Sequence, residues 1–225
     1  LSFKNALFLD LTGRNDWSST LPEATRSYFY PSFGLSAVLT DLIPGLPKAI
    51  SFAKLRMSYA DVGNDTRPYL LQRSVILGPG GNNGFLQLAG LLPNKNLLPE
   101  KTSSAEIGLE IRFLNDRIGL NITNYQTDTR NQLFQLSLPV GSGASSYFTN
   151  GGNVRNRGIE AILSLTPVKT TNFYWDVNIN YASNKNKVVE ISDVSPKIII
   201  PESYFKDFVI AQGEPYGQMY GKGWQ

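Results

Sequence analysis

Seven stretches of this chain alternate apolar and polar residues with a period of two, and each runs for about 10 to 13 residues. Such alternation marks a strand with one greasy and one wet face. Strands of soluble domains are most often ~5–6 residues long, whereas a tilted strand that crosses a bilayer takes ~9–11. Length alone therefore points to a membrane β-barrel. The stretches are residues 3–12, 28–40, 52–62, 103–114, 117–127, 157–166 and 173–182, with a weaker eighth at 205–212. The expected fold is all-β, an antiparallel transmembrane β-barrel segment of seven or eight strands.

The two faces differ in chemistry. In the third stretch Leu55, Met57 and Tyr59 oppose Lys54, Arg56 and Ser58. In the fourth, Ile107, Leu109, Ile111 and Phe113 oppose Glu106, Glu110 and Arg112. In the seventh, Trp175, Val177, Ile179 and Tyr181 oppose Asp176, Asn178 and Asn180. A Lys or Arg at the lipid midplane costs ~2–4 kcal/mol. The charged face must then look into a wet or protein-filled lumen. That makes Lys54, Arg56, Glu106, Glu110, Arg112, Asp176 and Asn178 the lumen-facing candidates, and it makes Phe173, Trp175, Tyr59 and Tyr181 girdle aromatics. A soluble β-sandwich reads the same pattern the other way, with the apolar face in a dry core.

The connections alternate between long (13–27, 63–102, 128–156, 183–204) and short (41–51, 115–116, 167–172). Outer-membrane barrels have short periplasmic turns and longer extracellular loops. Asn115-Asp116 reads as a tight hairpin, and Pro44-Gly45-Leu46-Pro47 as a breaker cluster. The aromatics Tyr69, Phe85, Tyr147, Phe148 and Tyr204 fall in the long loops and are the candidates for contact with a ligand or partner.

Several activities lose support. The chain has neither Cys nor His, which removes thiolate sites, the commonest metal ligand and the usual general base. Glu106 and Glu110 lie four apart on one strand face, ~13 Å at ~3.3 Å per residue. Glycosidase carboxylates lie ~5–9.5 Å apart, so the pair is not catalytic. Gly80-Gly81-Asn82-Asn83-Gly84 and Gly141-Ser142-Gly143 precede no helix and read as loop tips, not phosphate cradles. The sequon Asn121-Ile122-Thr123 falls inside a strand, and Asp10, Asn15 and Asp16 lack calcium-loop spacing. No metal, cofactor or catalytic residue is expected. The net charge of +3 is scattered, so no nucleic acid is expected either. Only 17% of residues are charged, below the ~25% of soluble domains, which suits a surface facing lipid. The chain opens in mid-strand at Leu1-Ser2-Phe3 and reads as an internal fragment of something larger.

Several runs resemble the β-barrel of SusC/RagA-type TonB-dependent outer-membrane transporters. In order, they are Arg14-Asn15-Asp16-Trp17-Ser18-Ser19, Tyr28-Phe29-Tyr30-Pro31-Ser32, Leu55-Arg56-Met57-Ser58-Tyr59 with Val62-Gly63-Asn64-Asp65, and Asn96-Leu97-Leu98-Pro99-Glu100-Lys101-Thr102-Ser103. Then follow Glu106-Ile107-Gly108-Leu109-Glu110, Asn156-Arg157-Gly158-Ile159-Glu160, Asn184-Lys185-Asn186-Lys187-Val188 and Gly213-Glu214-Pro215-Tyr216-Gly217. The resemblance implies a roughly 22-stranded barrel of which residues 1–225 form part, with the plug domain and C-terminal strands absent. It implies import of oligosaccharides or peptides, a SusD-like surface lipoprotein as partner, and TonB acting through a missing N-terminal region. The open alternatives are a passive porin-like channel and a soluble β-sandwich carbohydrate-binding module.

Overall fold

The computed structural model describes residues 1–80, 82–191, 197–201, 206–221 and 223. Its main element is one eight-stranded sheet in which each strand is hydrogen-bonded to the next strand of that sheet along the chain. The strands are β1 (Ser2–Phe3), β2 (Leu7–Trp17), β3 (Ser27–Val38) and β4 (Ile50–Asn64), then β5 (Glu100–Phe113), β6 (Ile118–Arg130), β7 (Asn153–Lys169) and β8 (Tyr174–Glu190). All pairings in this wall are antiparallel. A short turn can join such neighbours, so the meander needs no crossovers.

The register keeps the two faces apart across the wall. One row runs Leu55, Leu109, Ile122, Ala161, Tyr181. The next row over, on the opposite face, runs Lys54, Glu110, Asn121, Ile162, Asn180. No apolar residue on the greasy face of β5 to β8 is buried; Ile179 is 52% exposed and Tyr181 60%. A sandwich would cover this face with a second sheet. Among the described residues there is no dry two-layer core of the kind the soluble alternative needs.

The upper edge of the greasy band is oblique to the hydrogen-bond rows. On β4 the band ends at Tyr59, whose row continues through Ala105, Gln126 and Arg157 to Lys185. On β8 the band ends at Tyr181, four residues below Lys185. The edge thus drops about one residue (~3.3 Å) for each strand step (~4.8 Å), an angle of roughly 35°. Strands in outer-membrane barrels tilt by ≈ 35–45°. A flat membrane boundary drawn across tilted strands produces this slope.

The two clusters of large buried side chains lie instead in a layer over the long-loop end. Leu21, Leu70 and Leu97 form one cluster, with Tyr28, Leu133 and Phe148 against it. Phe134, Val154, Val188, Ile191, Ile198 and Ile210 form another. The expected long loops are therefore folded. Residues Val75–Gly78 pair with Phe85–Leu88, and Leu133–Ser137 with Ser146–Asn150. Asn150 ties three segments: its side-chain oxygen accepts from Leu98 N at 2.7 Å, and its amide donates to Leu98 O and Asn131 O, both at 2.8 Å. Asn150→Ala should loosen this layer by about 1–2 kcal/mol. Faster amide exchange at residues 96–98, with the wall unchanged, is the expected readout; unchanged exchange would mean the ties carry no stability.

Several expected boundaries move. The segment 205–212 is not a wall strand. Lys206–Ala211 pairs with Lys197–Pro201 and Gln218–Gly221 in a separate three-stranded sheet, while β1 completes the eight; Phe205 itself is outside the described residues. A turn with positive φ at Lys4 and Asn5 separates β1 from β2, so 3–12 is not one strand. β3 stops at Val38 because Leu39–Leu42 closes a helical turn, with Ile43 N donating to Leu39 O. β8 continues to Glu190, so the loop expected from 183 starts later. Asn184 to Lys187 are polar on both faces, which hid the alternation. Asn115-Asp116 is not a two-residue hairpin either: Leu114, Asn115 and Asp116 all have positive φ, in a turn running from Leu114 to Arg117. The turn leans on its neighbour, with Leu114 N donating to Ala49 O and Asp116 N to Ser51 Oγ.

Candidate functional site

The strongest convergence of polar and aromatic groups is at the loop end of β2 and β3. Alternation puts Arg14 and Asp16 on the polar face of β2, opposite Tyr30 and Tyr28 of β3. Arg14 Nε donates to Asp16 Oδ1 at 2.7 Å, and the Tyr30 hydroxyl donates to the other carboxylate oxygen. The rings of Tyr28 and Tyr30 lie 5.5 Å apart, tilted by 49°, with the Arg14 guanidinium 5.9 Å from the Tyr30 centroid. The ladder between β3 and β4 ends at Ser32 and Ala60, and beyond it the two rings lie against Gly63. A Cβ at position 63 would come within 2.6 Å of the Tyr28 ring, so any other residue there forces the rings to move. Ser18 donates to Asp65 at the edge of the same depression, which holds about 470 Å³. Hydroxyls, the carboxylates of Asp16 and Asp65 and the Tyr28 ring around an open depression suit a ligand with hydroxyl or amide groups.

Nothing in the sequence patterns singled out Tyr28, Tyr30 or Asp65 as site residues. The available signal was the charged and phenolic residues at alternate positions where two strands reach the long-loop side.

All seven lumen-facing candidates share the polar face. Arg56 reaches over Gly108 to Asn121 Oδ1 at 2.9 Å, and a side chain at 108 would meet that guanidinium. With Asp10, Gly34 and Glu106, Arg56 borders a groove of about 250 Å³. Arg112 bridges Glu110 at 2.7 Å and stacks over Phe52. Asp176 accepts from Thr166, and Asn178 from Ser164. Lys54 is opposite Glu110 in register.

The loop aromatics separate by environment. Tyr69 and Phe85 are exposed, Tyr69 with a positive φ. Phe148 packs on the Leu97 cluster beneath Arg67, and Tyr147 is half-buried on the same strand. Tyr204 lies outside the described residues, as does Gly81 of the glycine-rich tip.

Two carboxylates stand above the greasy band on its own face. Burial pushes the Asp61 carboxyl up, but hydrogen bonds from Lys101, Ser103 and Tyr59 outweigh it and hold it below its ordinary value. Burial likewise opposes ionisation of Asp128, and Arg155 at 2.6 Å with Gln126 more than offsets it. Charged groups buried on this face mark where the apolar environment ends.

Comparison with known proteins agrees with this geometry. The sequence profile of the family described as TonB dependent receptor-like, beta-barrel matches residues 1–213. The chain is 30% identical over 200 residues to TonB-dependent receptor P26 of Formosa agariphila, a match covering 86% of this chain and 20% of that protein. It is 27% identical over 201 residues to TonB-dependent receptor SusC of Bacteroides thetaiotaomicron, covering 85% of this chain and 20% of that protein. The fold is similar to that of a chain in the structure of the RagAB peptide transporter, with a TM-score of 0.84 at 23% identity, covering 95% of this chain and 24% of that one. The chain spans about a fifth of the length of the curated relatives it matches.

Proposed function

This chain belongs to the TonB-dependent receptor-like β-barrel family, and from that premise we propose that it supplies roughly a third of the wall of a 22-stranded outer-membrane importer. The observation that carries the reading is the oblique greasy band on one face with charge on the other. An open sheet has edges that lipid does not tolerate, so further wall strands must complete it; in this reading the plug also lies outside residues 1–225. Residues 1–225 are then one partial barrel unit, and TonB couples energy through a region outside them.

The cargo we propose is an oligosaccharide, with a peptide as the alternative. The depression beside Tyr28 supports a hydroxyl-rich ligand: the Tyr28 ring for the apolar side of a sugar, and Asp16, Ser18 and Asp65 for its hydroxyls. A SusD-like surface lipoprotein would sit over the loop layer, where the exposed Tyr69 and Phe85 are available to it. Cargo held there passes into the lumen past Arg56 and Glu106 once the plug is remodelled. The role is transport, not catalysis.

Binding by the assembled protein tests the cargo class. Calorimetric titration with a panel of oligosaccharides and of peptides should show saturable binding of at least one oligosaccharide. Asp16→Asn removes the charge that orients Arg14 and Tyr30, and should weaken that binding about tenfold. Binding of peptides alone would reverse the cargo assignment. An affinity unchanged in the variant would remove the depression from the ligand path.

A further inference from the structure

Above the greasy band, β7 and β8 carry a basic cluster on their lipid-side face. Arg155 pairs with Lys187 in register, and Arg157 with Lys185. Directly below in the same columns come Ile159, Ala161 and Leu163 on β7, and Ser183, Tyr181 and Ile179 on β8. The four cations border a groove of about 930 Å³, closed on one side by the turn around Gln212 and Pro215. That turn is fixed to the edge of β8, with Gly213 N donating to Val188 O and Val188 N to Glu214 O.

The charge in this groove is not cancelled internally. Asp128 neutralises Arg155. Arg157 donates to Gln126, an uncharged partner. Among the described residues, Lys185 and Lys187 have neither an ion pair nor a side-chain hydrogen bond. Three positive charges therefore face outward with no counterion among the described residues.

Height decides what they face. Tyr181, where the greasy band ends, and Lys185 lie on the same face of β8, four residues apart. Four residues at ~3.3 Å, tilted by ~40°, rise about 10 Å, which carries Lys185 past the acyl chains. Lys185 and Lys187 therefore stand at the headgroup level. A cluster looking into the lumen would meet cargo or plug; this one continues upward from acyl-chain contacts and meets the lipid's polar part.

From this juxtaposition we infer that the groove is a docking site for the phosphate of an acidic lipid in the outer leaflet, held by Arg157, Lys185 and Lys187, with its acyl chains along Ile159, Tyr181 and Ile179. The inference rests on the outer-membrane reading of the wall. Lys187 and Lys185 give two point charges, and Arg157 a forked donor suited to phosphate oxygens. Only a phosphate anchored to acyl chains uses both halves of the surface.

The test uses the assembled protein in nanodiscs of phosphatidylcholine with a minority of phosphatidic acid. The number of phosphatidic acid molecules retained is counted by native mass spectrometry. The double variant Lys185→Gln/Lys187→Gln should lower retention about tenfold to thirtyfold. Lys48→Gln, a change in the turn region on the short-connection side, should leave it unaltered. Equal retention by the double variant and the parent overturns the inference. So does inorganic phosphate competing as well as the lipid, since the acyl half would then contribute nothing. Failure of the parent protein to enter nanodiscs at all would instead overturn the outer-membrane reading, and the site with it.

Discussion

Ile179→Arg should cost the assembled barrel about 2–4 kcal/mol, while Asn180→Arg next to it should cost less than 1 kcal/mol. In the structure both side chains are exposed, so burial inside the protein does not distinguish them. Register does. Ile179 is opposite Leu163, in a row with Leu120 and Ile111; Asn180 is opposite Ile162, in a row with Asn121 and Glu110. If the first row meets acyl chains, a guanidinium there must drag water into hydrocarbon or force the barrel to shift. In the second row it points into a polar lumen beside Glu110. A soluble sheet with two wet faces would tolerate both changes alike. Folded barrels resist sodium dodecyl sulfate and migrate faster before heating, so the denaturant midpoint of that band shift reads the difference. Equal midpoints for the two variants would overturn the assignment of faces.

That contrast also explains what was legible in the sequence. The wall could be read because lipid and lumen impose opposite chemistry on alternate residues, and the pattern survives in each of the seven long strands. It failed where that demand stops. Above the band neither face of β8 meets acyl chains, so Asn184 to Lys187 carry no alternation although they are paired strand. The loops failed for a different reason. Leu21, Leu70 and Leu97 meet only in the tertiary structure, from segments far apart in the chain, and no local period announces them. The same holds for the depression at the rim: Arg14 and Asp16 come from one strand, Tyr28 and Tyr30 from the next, and Asp65 from beyond a third. What the sequence did carry there was the run resemblance, and the structure gives one of those runs a physical reason. Gly63 is required because two tyrosine rings occupy the space a side chain would take.

Gly158 poses the same constraint inside the wall, and its replacement should be the more damaging. Its neighbour across the ladder on β6 is Tyr125, whose ring lies over it so closely that a Cβ would overlap the ring. Glycine within a strand ordinarily weakens it by roughly 0.5–1 kcal/mol relative to alanine. Here an added Cβ forces the ring to move, and the ring covers the gap that glycine leaves, a device that also holds strand register. Gly158→Val must push Tyr125 off the sheet, at a cost of about 1–3 kcal/mol for overpacking, plus the ring's lost contacts. Tyr125→Ala loses those contacts alone. If the ring is what forbids a side chain at 158, the double variant Gly158→Val/Tyr125→Ala should be no less stable than Gly158→Val, because valine, a strong strand former, then occupies the emptied space. The denaturant midpoint of the folded band closes the cycle. Losses that simply add would mean that glycine at 158 serves some purpose other than admitting the tyrosine ring.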